Sequence, residues 1–304
     1  MSKKNRKTSP SILSLTVPAA LLVALGVTLS AKLGLFDPVG PVSGLEVKGP
    51  ETVVIGPRQM RYRAEGHFLK RGLAVDAPLV DAALRAPFAI TKYQVSRGEY
   101  RRCVEDGACE APEAGDGGED VPVTGVNYSD AENYAKWLTA QTGEVWRLPT
   151  DEQWAFAAGS KFPDDALGID AESDNPALRW LADYEREASR QKSPDPRPQP
   201  RGTFGENEYG VADVGGNVWE WTRTCHRRVT IGDRGEVLKE QPACGIYVVD
   251  GKHRASMSFF IREPKSGGCA VGVPPDNLGF RLVRDDRWYA RLLYAFERRR
   301  EGAV

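Results

Sequence analysis

The sequence has almost no net charge, only three histidines and no internal repeat. Its 41 basic residues are balanced by 42 acidic ones, so the net charge is −1. Because proteins that bind DNA or RNA attract the phosphate backbone with a positive field, nucleic acid is not expected as a partner. Apolar residues make up 41% of the 304 residues, which is enough for one large domain with an ordinary core.

The N-terminus carries a long apolar run. It extends from residue 12 to about residue 31 and follows four basic residues, Lys3, Lys4, Arg6 and Lys7. A run of this length spans a bilayer as a helix, and positive charge stays on the cytoplasmic side. The sequence therefore predicts a cytoplasmic segment over residues 1–10, a transmembrane signal anchor over 11–33 and a tether over 34–44. The protein would then be anchored in the inner membrane by one helix, and the remainder of the chain would face the periplasm. A cleaved signal peptide is the second interpretation, since Thr28 and Ser30 are small, although no clear A-x-A motif is present.

Five cysteines in an exported chain indicate disulfides with one thiol left over. Cys103 and Cys109 lie in CVEDGAC, where a short glycine-containing loop allows them to pair. The other three cysteines, Cys225, Cys244 and Cys269, cannot all be paired within the chain.

Strand and helix signals alternate irregularly along the chain. ETVVIG at 51–56 and FAITKYQV at 88–95 predict strands, and residues 57–77 read as basic and irregular. Three helices are predicted from a hydroxyl side chain followed three residues later by Glu or Gln, which satisfies the free amides of a helix start. These pairs are Ser96 with Glu99, Ser129 with Glu132, and Thr150 with Gln153.

The second half of the chain is rich in loops. Residues 185–201 hold four prolines and predict a solvated loop, and short strands are expected from residue 205 to GFRLVR at 279–284. A basic C-terminal helix is predicted over 286–304, with Trp288, Leu292 and Phe296 on one side. It is either a solvated helix or a contact for a partner protein or anionic lipid. Few long helices and many short elements predict a single α+β domain.

Four segments, in this order, resemble one family. VPVTGVNYSDAENYAKWL, WRLPTDEQWAFAAG, YGVADVGGNVWEWT and NLGFRLVR are similar to the signature blocks of the sulfatase-modifying-factor, or formylglycine-generating-enzyme, family. The resemblance covers residues 45–285. It implies a loop-rich variant of the C-type-lectin-like fold.

The resemblance also implies a calcium site in the third segment. Its ligands would be the side chains of Asp213 and Glu220 and the backbone carbonyls of Gly216 and Val218. Calcium prefers hard oxygen ligands of this kind. In the alternative interpretation Asp213 and Glu220 only cap turns, and Trp219 and its neighbour Trp221 only pack.

The copper site of the formylglycine-generating enzymes is missing from the sequence. Those enzymes hold copper with two cysteines spaced C-x4-C, and no such pair occurs here. The corresponding positions fall near Val249 and Arg254, so formylglycine generation is not expected. The iron-dependent sulfoxide synthases of the family take three histidines largely from a separate helical domain. Because the three histidines here are widely spaced and that domain is absent, neither copper nor iron is expected as a cofactor.

The remaining cysteines and histidines permit two interpretations. Cys225 pairs with Cys244 and leaves Cys269 buried or lining a pocket, or these residues form a copper or redox centre with His226 and His253. Cys269 is the candidate catalytic residue, because KSGGCAVGVPPDN should border the groove where relatives bind peptide.

Three further residues are candidates for that groove, namely Trp219, Arg254 and Arg262. Arg254 and Arg262 either line the groove or pin carboxylates, and Arg281 in GFR is expected to buttress the core.

The resemblance leaves two functions open. The first is a membrane-anchored binding protein that recognises a segment of another exported protein and assists its maturation. Members with an N-terminal anchor and a pair like CVEDGAC resemble accessory proteins encoded beside copper nitrite reductases, which makes that enzyme the most specific expected partner. The second is a periplasmic oxidoreductase acting on a peptide-derived substrate, by formylglycine generation or another oxidation.

Overall fold

The computed structural model describes residues 48–113, 117–164, 166, 181, 197–264 and 277–301. The chain divides into two units, residues 41–287 and a second unit made of residues 1–40 and 288–304. Within the described parts, no helix has the length and apolar character needed to cross a membrane. The predicted anchor over 11–33, the tether and Cys269 all lie outside the described residues.

The larger unit contains two main sheets and a two-stranded ribbon. The first sheet is antiparallel, in the order β1 (Thr52–Ile55), β6 (Phe88–Thr91), β12 (Val283–Arg284), β7 (Trp146–Arg147). The second runs β10 (Ala255–Ser258), β9 (Val237–Asp250), β8 (Trp219–Ile231), β3 (His67–Lys70), β4 (Leu73–Val75), and β11 (Leu278–Gly279) also pairs with β8. The ribbon joins β2 (Arg58–Arg63) to β5 (Leu79–Leu84).

Two expectations about the strands are wrong. Residues 57–77 are not irregular, because β2, β3 and β4 lie there. In β2, Met60 and Tyr62 are half-buried and alternate with exposed Gln59 and Arg61, a period of two that the basic composition obscures. Short strands were expected after residue 205; β10, β11 and β12 are short, but β8 and β9 have 13 and 14 residues and form one long antiparallel hairpin.

Three helices begin at capping boxes, in which the N-cap side chain and the third helical side chain each bond the other's backbone amide. Ser96 and Glu99 start α1 (Arg97–Glu105), and Thr150 starts α3 (Asp151–Ala158) with Gln153, as predicted. The cap of α2 (Tyr128–Thr142) is Asn127 with Asp130, and not Ser129 with Glu132. A 3-10 turn, Gly159–Lys161, follows α3.

Three apolar clusters lie among the described residues, and two of them join sheets to helices. The larger one packs α1 and α2 against β8, with the Tyr100, Tyr134 and Phe280 rings in mutual contact and Trp221 fully buried. The second places Trp154 of α3 against β1 and β6. In the smaller unit, α4 (Ala290–Glu301) is the described helix, as predicted for the C-terminus.

Candidate functional site

The segment GVADVGGNVWEWT at 210–222 forms a tight corner that leads into β8. Asp213 and Asn217 both have positive φ, 56° and 61°, a conformation that Asp and Asn tolerate better than most residues. The Asp213 carboxylate accepts hydrogen bonds from the backbone N–H groups of Gly202 (2.6 Å) and Phe204 (2.8 Å). The Asn217 side chain bonds both the N–H and the C=O of Gln199. The corner is therefore fixed to residues 199–204 by side-chain hydrogen bonds.

Glu220 lies at the centre of a fully buried polar cluster. Arg281 donates to both of its carboxylate oxygens, from Nε to Oε2 (2.5 Å) and from Nη2 to Oε1 (2.7 Å). Trp154 Nε1 donates to Oε2 (2.7 Å), and Gln94 Nε2 donates to Oε1 (2.8 Å). Since a carboxylate offers about four lone-pair directions, Glu220 has its full complement of donors.

This saturation bears on the predicted calcium site. An ion would need lone pairs of Glu220 that already accept hydrogen bonds, and the positive charge of Arg281 lies within hydrogen-bond distance of both oxygens. As placed, Glu220 does not fit the role of a calcium ligand, and Asp213 is engaged as a cap. Calcium binding at Asp213, Gly216, Val218 and Glu220 is implied by the resemblance only, and the side chains as placed do not fit it. The arrangement supports the alternative, in which the two acidic side chains organise the corner.

The two tryptophans of this segment belong to the core. Trp219 is 4% exposed and donates from Nε1 to the His253 carbonyl (3.0 Å), and Trp221 is fully buried and donates to the Val126 carbonyl (3.1 Å). Trp219 is thus placed in the interior and not on an open groove.

Arg254 and Arg262 pin carboxylates at two different places. Arg254 Nε lies 3.5 Å from Asp151 and 4.0 Å from Asp250, both buried, and its guanidinium covers the Phe162 ring. Arg262 Nε lies 2.9 Å from Asp130, the capping residue of α2. Of their two predicted roles, the structure shows the pinning of carboxylates.

Both predicted disulfides are present. Cys103 pairs with Cys109, and Cys225 pairs with Cys244. The first pair is buried in the larger core, whereas Cys244 is exposed on β9. The pairing of Cys225 and Cys244 uses the two thiols that a redox centre would have needed.

The histidines do not gather around these sulfur atoms. His226 Nδ1 is hydrogen-bonded to Ser256 Oγ (2.9 Å), and the buried His253 ring packs edge-on against Trp219. Burial lowers the pKa of His226 and of His67. Across the described ranges, no group of three His, Cys, Asp or Glu side chains is arranged to hold a metal.

Val249 and Arg254, near which the resemblance would place the copper cysteines, have structural roles. Val249 is fully buried and pairs with Trp221 across β8 and β9. Arg254 is held by the two buried aspartates, as described above. Neither side chain supplies a thiolate, which is the soft ligand that Cu(I) prefers.

An exposed aromatic surface was not predicted from the sequence. It consists of the exposed Phe259 and Phe260 together with Tyr128 and Tyr247, which are half-buried against the larger core. Phe259 and Phe260 are 43% and 61% exposed, and the Tyr128 and Tyr247 rings stack with their centroids 3.6 Å apart. The Phe259 backbone donates to the Gly245 carbonyl and accepts from the Tyr128 amide, which holds the loop rigidly. The signal in the sequence was the pair of adjacent phenylalanines in SMSFFIR. No neighbouring polar motif indicated that the pair would be exposed.

The fold and these segments define the chain as an α+β domain built around a buried Glu–Arg corner. Residues 39–286 match the model of the sulfatase-modifying factor enzyme 1-like domain, and the chain belongs to this family. The predicted family is therefore confirmed, and its characteristic third segment is the corner at 210–222.

Curated relatives extend the comparison. The chain is 28% identical over 276 residues to the "Inactive C-alpha-formylglycine-generating enzyme 2" of Bos taurus, and the alignment covers 81% of each protein. It is 32% identical over 120 residues to the formylglycine-generating enzyme of Mycobacterium tuberculosis, covering 34% of this chain and 33% of that enzyme. Among solved structures, PvdO from Pseudomonas aeruginosa aligns with a TM-score of 0.50 and 22% identity over 78% of this chain and 94% of PvdO, which shows a shared fold.

Proposed function

We propose that this protein is a binding member of the sulfatase-modifying-factor family and that it does not generate formylglycine. The observation that carries the proposal is the missing C-x4-C pair, with Val249, a buried core residue, and Arg254, which lies between Asp151 and Asp250, near the expected copper positions. A buried valine and a paired arginine are parts of the packing, so no copper thiolate centre forms there. The name of the bovine relative, an inactive enzyme, agrees with this proposal.

The aromatic surface is the proposed contact for a partner segment. Aromatic side chains supply large apolar area at little cost in side-chain entropy, and they are enriched among the residues that dominate binding energy. Here the backbone bonds of Phe259 to Gly245 and Tyr128 anchor the loop that carries the two phenylalanines. A preorganised surface loses less entropy on binding than a mobile one.

The partner that we put first is a periplasmic copper nitrite reductase. Support for it comes from the resemblance of the predicted N-terminal anchor and the CVEDGAC pair to accessory proteins of that enzyme. In this proposal the chain is exported, stays in the inner membrane through residues 11–33, and assists the reductase outside the cytoplasm.

Binding is tested with purified full-length protein and copper nitrite reductase without its metal, by biolayer interferometry. The double variant F259A/F260A should weaken binding about tenfold or more, because exposed aromatic anchors commonly contribute over 1 kcal/mol each. Leu238→Ala is the matched control, since Leu238 is 63% exposed on β9, outside the aromatic surface. Equal affinity of the wild type and F259A/F260A would show that the aromatic surface is not the contact. No binding of the wild type would show that the reductase is not the partner.

The second candidate is an oxidoreductase, and it depends on Cys269. Metal analysis of the wild type and of Cys269→Ala separates the two functions. Copper or iron that is lost on substitution would overturn the binding proposal. Formylglycine generation is tested with a peptide that contains the sulfatase cysteine on which formylglycine-generating enzymes act. This cysteine should stay unmodified when the peptide is incubated with the protein, copper and oxygen.

A further inference from the structure

The C-terminal helix α4 exposes an apolar stripe. Trp288, just before the helix, and Leu292 and Phe296 within it are 88%, 44% and 60% exposed. Residues spaced by four lie on one side of a helix, so Leu292 and Phe296 share one side, and Trp288 stands in the turn just before it. Ala290 and Tyr294, roughly on the opposite side, are 2% and 8% exposed. The helix is therefore covered at Ala290 and Tyr294, whereas Glu297 further along that side is exposed, and the other side presents large apolar side chains.

Positive charge accompanies the stripe. The last turn of α4 contains Arg298, Arg299 and Arg300, and Arg291 lies in the first turn. All four side chains are exposed. Arginines in the last turn interact favourably with the negative end of the helix dipole. That effect does not require an apolar stripe beside them. Long arginine side chains extend alongside apolar surface and keep their charge in a polar layer.

A bilayer surface with anionic lipids matches this combination. The helix has 12 residues, well short of the roughly 20 needed to cross a hydrocarbon core. Helices that lie in the interface have Trp, Phe and Leu on one face with arginines or lysines toward the headgroups. Tryptophan is also enriched at the boundary between headgroups and acyl chains. A protein partner would explain the stripe but not the excess of arginine at its end.

We propose that α4 lies in the surface of an anionic membrane. Trp288, Leu292 and Phe296 enter the boundary of the acyl chains, and the arginines of the last turn contact lipid phosphates. This contact uses none of the residues of the aromatic surface. It also does not depend on the identity of a maturation partner.

The test uses the full chain in vesicles whose lipids carry brominated acyl chains, which quench tryptophan fluorescence at short range. Vesicles of phosphatidylcholine alone are compared with vesicles that also contain phosphatidylglycerol. The difference in quenching between the wild type and Trp288→Phe isolates the signal of Trp288 from the other tryptophans. Strong quenching of Trp288 is expected in the anionic vesicles, weakened by added salt because headgroup attraction is screened.

A charge variant completes the test. Arg298, Arg299 and Arg300 are replaced together by glutamine, which leaves the stripe and the helix propensity nearly unchanged. Quenching of Trp288 in anionic vesicles should then fall to the level found with phosphatidylcholine alone. Circular dichroism of each variant confirms that the domain is folded. If Trp288 is unquenched in both kinds of vesicle, or if its fluorescence changes only with protein concentration, the stripe contacts protein and not lipid. Either result would overturn the proposal.

Discussion

Arg281 and Glu220 form a bidentate ion pair in which both side chains are almost completely buried. All five guanidinium donors of Arg281 are used, two by Glu220 and the others by the backbone carbonyls of Thr91, Lys92 and Ala212. One arginine thus ties β6 and the corner at 210–222 to the start of β8. The two residues come from the third and fourth segments that identify the family.

Removing either member of this pair should destabilise the domain strongly. Arg281→Met leaves a buried carboxylate without its counter-ion, which costs about 3–5 kcal/mol. Glu220→Gln leaves the guanidinium uncompensated, and a loss of similar size is expected. Urea denaturation of the two variants measures the free energy of unfolding.

The double variant Glu220→Gln, Arg281→Met is the control for charge. Because it buries no unpaired charge, it should lose less stability than the sum of the two single variants. Single-variant losses below about 1 kcal/mol would show that water reaches the pair, contrary to its burial.

The same pair leads to a prediction about calcium. Since Arg281 already neutralises Glu220, the melting temperature of the domain should not change when calcium is removed by a chelator or added in excess. Differential scanning calorimetry measures this directly. A melting temperature that rises with calcium concentration, and that no longer does so in Glu220→Gln, would mean that an ion displaces Arg281.

The sequence predicted local features well and long-range polar contacts poorly. Ser96 and Thr150 were identified as caps because both partners of a capping box lie within four residues. Arg281 was expected to buttress the core, yet its partner Glu220 could not be derived from spacing, because the two are 61 residues apart. Gln94 and Trp154 were missed for the same reason. Pairing over such distances is decided by the packing of whole sheets.

The start of α2 shows how a local signal also fails. Ser129 with Glu132 fits the pattern of a hydroxyl followed by Glu or Gln, whereas Asn127 with Asp130 does not, and the two pairs overlap in the sequence. In the structure Asn127 accepts from the Asp130 amide (2.9 Å), and Asp130 also binds Arg262. The cap of α2 therefore lies two residues earlier than predicted, where Asp130 both accepts from the Asn127 amide and pairs with Arg262.

Substitutions at the two candidate caps distinguish these registers. Asn127→Ala should lower the free energy of unfolding by about 1 kcal/mol, because an amide at the helix start loses its acceptor. Ser129→Ala is the matched control and should change it by no more than about 0.5 kcal/mol, as expected for an exposed helical position. Chemical denaturation of both variants gives the comparison, and equal losses would contradict the assignment of Asn127 as the cap.

The stability of the domain should depend on pH through two histidines on neighbouring strands. His67 pairs in register with Arg228, and His226 lies two residues before Arg228, so both imidazoles are on one face of the sheet. Burial lowers the pKa of His226, and the neighbouring His67 and Arg228 lower it further; burial and Arg228 also lower the pKa of His67. Both groups are therefore harder to protonate in the folded state than in the unfolded chain.

The sign of the dependence follows from this difference. Below about pH 6.5, the ordinary histidine pKa, the unfolded chain binds more protons than the folded domain. The free energy of unfolding should therefore fall as the pH drops through this range, and it should level off below the folded-state pKa values. Above this range the two imidazoles are neutral in both states and contribute no pH dependence. Urea denaturation between about pH 8 and pH 5 measures the change before most carboxylates titrate. The variant His67→Gln, His226→Gln should flatten the curve, and an unchanged slope would assign the pH dependence to other groups.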